Sequence, residues 1–116
     1  DPGEAPIDTW MGQTVASWDG DTLVLTTTGL HPDTWLDRAG NHHTEKLKVV
    51  ERYTHITDNH LNYEATIEDA GVYTRPWKIS LPLYRRMDKD FQLLDFKCVE
   101  FVEEMLYGEW RRYPLD

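Results

Sequence analysis

At 116 residues, 40% hydrophobic and 12% aromatic, the chain is long enough for one domain with a core and too rich in rings to be disordered. Its formal net charge of -9 argues against nucleic-acid and anionic-membrane partners, since both need Lys and Arg to meet phosphate. A single cysteine, Cys98, excludes an internal disulfide; its alternation with apolar neighbours reads as a buried structural thiol.

Residues 1–9 are rich in proline and acid and read as an extended arm, with a processed or trimmed start and no recognisable export signal. Residues 10–116 read as one β domain. Segments 13–18 and 21–28 are predicted strands joined by Asp19-Gly20, a pair suited to a tight hairpin turn with φ > 0. That turn sets Val15 against Val24 and Ala16 against Leu23.

The pattern breaks over 29–44, where turn signals surround a single expected helical turn at 34–38. A loop of this length in a compact domain is often functional, and it carries His31, His42 and His43.

Segments 47–55 and 61–68 are the next strands, turning at Thr57-Asp58-Asn59. A three-residue loop pairs Tyr53 with Tyr63 and Val49 with Ile67, and so puts Glu51 on the apolar face. A slip of one residue would put Arg52 there instead. The first register gathers more apolar side chains on one side and is preferred.

Segment 77–85 alternates cleanly, with Pro82 implying a free edge or a bulge. Asp88-Lys89-Asp90 turns the chain into a sixth strand at 91–98. Phe101, Val102, Met105 and Leu106 then recur at helical spacing, giving a short terminal helix that ends near Gly108. The expected fold is thus mainly β: a six-stranded antiparallel meander forming a curled sheet or a partly open, lipocalin-like barrel, with a C-terminal helix. An open edge on such a sheet invites a second copy or a protein partner.

Several stretches together resemble one family. They are residues 10–24 (WMGQTVASWDGDTLV), 34–40 (TWLDRAG), 43–45 (HTE), 50–54 (VERYT) and 74–77 (TRPW). The family is one of small bacterial β proteins, many made with an export signal, for which no activity is established. The resemblance implies a periplasmic or secreted setting. It departs from the family pattern at Thr26, where an acid is usual, at Lys48, where a histidine is, and at Ala70, where a proline is.

Glu51 is the first candidate for chemistry. A carboxylate on an apolar strand face can act as a general acid or base, although pairing with an arginine such as Arg75 would give it a structural role. His43, in the loop before that strand, and Arg75 are the groups that would position substrate or stabilise charge. Trp35, Tyr53, Tyr63 and Trp77 are the candidates to line a ligand cavity, against the alternative that they fill the core. The His43–Glu51 spacing matches no metal signature, the aspartates near 19–21 and 88–90 lack the rest of a calcium loop, and no phosphate-binding glycine loop is present. No cofactor is implied.

Three functions fit this pattern. The first is a domain that binds a small, partly apolar ligand. The second is a small cofactor-free isomerase, lyase or hydrolase using Glu51. The third is an interaction subunit of a larger assembly.

Overall fold

The computed structural model describes residues 5–93 and residues 105, 106 and 108. By its internal packing the chain divides into Asp1–Arg85 and Arg86–Asp116. The first unit holds five strands: β1 (Gln13–Asp19), β2 (Thr22–Thr28), β3 (Lys48–Thr57), β4 (His60–Glu68) and β5 (Trp77–Tyr84). They pair in chain order as an antiparallel meander in an open sheet, since β1 and β5 do not meet.

Of the six-stranded, helix-capped meander expected, the described residues show five strands. In the second unit, Phe91 to Leu93 form no strand; residues 94–98 and most of the expected helix lie outside the described residues. The turn at 88–90 is present: the Phe91 amide donates to the Asp88 carbonyl, and the Arg86 guanidinium lies 4.7 Å from the Phe91 ring centre.

The first hairpin turns on Gly20-Asp21 rather than Asp19-Gly20. Gly20 takes φ +58°, so the glycine occupies the first central position, where tight hairpins need a positive φ. Asp19 pairs with Thr22, Ala16 with Leu25 and Val15 with Thr26. The expected pairs, Val15 with Val24 and Ala16 with Leu23, are thus off by two residues. A two-residue error preserves which side chains share a face, because the strand period is two.

The β3–β4 register is as expected over most of its length: Tyr53 faces Tyr63, Glu51 faces Ala65 and Val49 faces Ile67. It is reached through a shift between His55 and Thr57, after which Thr57 pairs with His60. Pro82 lies in β5, an edge strand of the described sheet, opposite Asn62. This placement matches a residue that cannot donate a ladder bond.

These registers build one apolar face of three cross-strand rows, with a shorter row of His55, Leu61 and Leu83 beyond them at the β3–β4 tip. The first of the three, toward the hairpin tips, is Trp18, Leu23, Tyr53, Tyr63 and Leu81. The middle row is Ala16, Leu25, Glu51, Ala65 and Ile79. The third is Thr14, Thr27, Val49, Ile67 and Trp77. The other face carries polar pairs: Arg52 with Asp19 at 2.6 Å, Lys78 with Glu64 at 2.9 Å, and the Thr22 and Thr54 hydroxyls at 3.0 Å.

The core sits at the end of this face away from the hairpin tips. Leu47, Ala65 and Ile67 are buried there, with Leu30, Leu36, Val49, Tyr63, Tyr73 and Trp77 packed around them. Two connections supply its cover, residues 29–47 and 69–76. Buried Asp69 ties them together: it accepts from the Thr44 amide and hydroxyl and from the Gly71 amide. The Tyr73 hydroxyl donates to the His42 carbonyl at 2.8 Å. Residues 34–38 form no helical turn; the Thr34 amide instead donates to the His31 carbonyl.

Candidate functional site

Glu51 stands in the middle of the apolar face, between Leu25 and Ala65. Alternation along β3 brings Tyr53 to the same face, and the register sets Tyr63 directly across from Tyr53, ring centres 5.0 Å apart. Both phenols converge on one carboxylate oxygen. The Tyr63 hydroxyl donates to Glu51 Oε1 at 2.7 Å, and the Tyr53 hydroxyl donates to the same atom at 3.2 Å. Glu51 Oε2 takes no hydrogen bond from any described residue.

Burial, and then the adjacent Glu51 charge, pushes the Tyr53 phenol above its ordinary value. Burial and the hydrogen bond to Glu51 push Tyr63 much further up. Both phenols thus stay protonated donors throughout the neutral range, and they hold an anionic acceptor at a fixed position among apolar side chains.

Toward the hairpin tips the same face opens into a cleft of about 660 Å³, lined by Trp18, Leu23, Tyr53, His55 and Leu61 with Gly20 and Asp21 at the turn. Its aromatic wall is only half built into the sheet, for Trp18 is 71% exposed.

The other sequence-derived candidates lie elsewhere. His43 is buried, 1% exposed, and serves the loop: Nε2 lies 2.8 Å from the Thr34 carbonyl and 2.9 Å from its hydroxyl, and Nδ1 lies 3.0 Å from the Thr44 carbonyl. None of its hydrogen bonds goes to Glu51. Arg75 is exposed in the β4–β5 connection and makes no hydrogen bond or ion pair with Glu51, whose described partners are the two tyrosines.

Trp77 shares the face with Glu51 but belongs to the covered row. Its ring meets Tyr73 edge-on at 5.7 Å, and its buried indole N–H has no partner among the described residues. Trp35 lies in the long loop, far out in solvent, in a separate cleft. The structure thus gathers Glu51, Tyr53 and Tyr63, and leaves His43, Arg75, Trp35 and Trp77 out of that group. Among the described residues no three His, Cys, Asp or Glu side chains are arranged to hold a metal ion.

The sequence reading missed Asp69 and Trp18. Asp69 had a local signal, a carboxylate two residues before Gly71 in an Asx-type turn, but its main partner Thr44 lies 25 residues back. Its carboxyl feels burial, which raises its proton affinity. The Thr44 and Gly71 amides, the Thr44 hydroxyl and nearby His43 outweigh that, and hold it below the ordinary aspartate value.

Comparison with protein-family models, with curated proteins and with solved structures finds no match for this chain.

Proposed function

We propose that this domain binds a small molecule with an apolar body and one hydrogen-bond donor, on the tip-proximal apolar face of its sheet. The observation that carries this reading is the position of Glu51. Its carboxylate is held by two tyrosines in the row next to an aromatic-lined cleft, with Oε2 free among the described residues. The cleft sets the apolar Trp18, Leu23 and Leu61 beside the polar Tyr53, His55 and Asp21, with Glu51 in the adjoining row; apolar walls with a few polar groups are the usual build of a small-molecule site. An anionic acceptor favours a hydroxyl or ammonium group over a carboxylate.

The test is an NMR titration with phenethylamine and with phenylacetate as probes. The amine is expected to shift the backbone amides of Trp18, Tyr53 and Leu61 at concentrations where the acid does not, and Glu51→Gln to remove the preference. Equal shifts by both probes, or none at these residues, would sink the reading.

The fixed carboxylate also favours a second reading, a cofactor-free isomerase, lyase or hydrolase with Glu51 as acid or base and the tyrosines as donors that hold it. A turnover that survives Glu51→Gln removes that role. The edges of β1 and β5, unpaired among the described residues, support a third, a homo-oligomer or a subunit docked by a protein partner, which sedimentation at several concentrations tests. The export signal common in the family that the chain resembles supports a periplasmic or secreted setting for any of the three.

A further inference from the structure

The long loop carries a second cleft, of about 450 Å³, unrelated to the Glu51 face. Trp35 is 88% exposed at its wall. A tryptophan this exposed contributes almost nothing to folding, yet the loop around it is firmly built. Thr34, its neighbour, donates from its amide and hydroxyl to the His31 carbonyl at 3.0 and 2.9 Å, and buried His43 holds it from the other side. On the far side Asp37 Oδ1 accepts from the Ala39 amide at 2.9 Å and the Asn41 amide at 3.1 Å. These bonds brace the backbone on either side of Trp35, so the loop itself needs little ordering when a ligand meets the indole.

The remaining lining residues specify the chemistry. Asp33, Arg38, Asn41 and His42 line the same cleft, the Asn41 side-chain amide also donating to Asp37 Oδ2. Together they offer planar acceptors and donors suited to vicinal hydroxyls. A pyranose ring presents an apolar C–H face to an indole and hydroxyls around its rim. Two carboxylates, Asp33 and Asp37, against one guanidinium, in a chain of formal net charge -9, disfavour an anionic sugar. We propose that this loop cleft is a binding site for a neutral saccharide, stacked on Trp35 and hydrogen-bonded by Asp33, Arg38 and Asn41.

The test is a titration of the intact chain with cellohexaose, chitohexaose, xylohexaose, maltohexaose and laminarihexaose, following the Trp35 indole N–H and the Gly40 and Asn41 amides by NMR. At least one sugar is expected to shift all three signals. Trp35→Ala should weaken it about tenfold or more and Trp35→Phe less, with circular dichroism unchanged because the ring is exposed. Absence of shifts at about 10 mM sugar, the weak limit for a useful site, overturns the proposal. So does binding that survives Trp35→Ala, or a Trp35 shift that depends on protein concentration alone and so reports contact between copies.

Discussion

At one end of the apolar face, Val49, Ile67 and Trp77 lie under Leu30, Leu36, Leu47 and Tyr73; at the other, Trp18, Leu61 and Leu81 remain open among the described residues. Both ends are built from the same alternation of large apolar side chains. They differ in what closes them. Two connections fold over the loop end, latched by Asp69 to Thr44 and by Tyr73 to His42. At the tip end the strands are joined by tight turns, which have no side chains to spare for a cover. Burial at about 25 cal/mol per Å² therefore stabilises the loop end, while the tip end keeps apolar surface available for a ligand or partner.

The strongest way to break this comparison is to cut both ends equally. Ile67→Ala is expected to cost about 2–5 kcal/mol in urea denaturation, because it opens a cavity beneath a closed cover. Leu81→Ala, 40% exposed, should cost well under half of that. Equal losses would mean that the tip end is covered in solution.

Next in size is the latch. Asp69→Ala strands the Thr44 and Gly71 amides and is expected to cost about 1–3 kcal/mol. Because the folded state holds this carboxyl below its unfolded value, its contribution is fully present above about pH 4. It is lost as pH falls through the folded value. The wild type should therefore weaken more steeply in acid than Asp69→Asn, as followed by urea midpoints between pH 5 and pH 2.5.

A smaller effect sharpens the middle row. Tyr63→Phe removes one donor to Glu51 and should cost about 1 kcal/mol. Tyr63 lies far above its ordinary value when folded, so its contribution is fully present below about pH 10 and fades as pH rises beyond it. Absorbance titration should show one tyrosine ionising later in the wild type than any in Tyr63→Phe. Smallest of all, Arg52→Ala on the polar face breaks an exposed pair with Asp19 and should change stability by less than about 1 kcal/mol.

The placement of Glu51 on the apolar face was legible in the sequence, because only one register of 47–55 against 61–68 gathered the apolar residues on one side. So was the first hairpin, although its turn slid by one position along Asp19-Gly20-Asp21; with glycine available, two neighbouring turns satisfy the same alternation. The Glu51–Tyr63 bond follows from that register once Tyr53 and Tyr63 are seen to oppose each other.

What alternation could not decide was which residues leave the sheet's logic. His43 and Trp35, both in one loop, look equally functional in sequence; the fold buries the first as a strut and turns the second into solvent. The choice depends on Thr34 meeting His43 across 9 residues and Thr44 meeting Asp69 across 25, and no local period records such contacts. Sequence by itself determined which side chains share a face, because strand geometry permits only two sides. Tertiary structure decided which end of that face is closed, because closure depends on where two irregular connections find their hydrogen-bond partners.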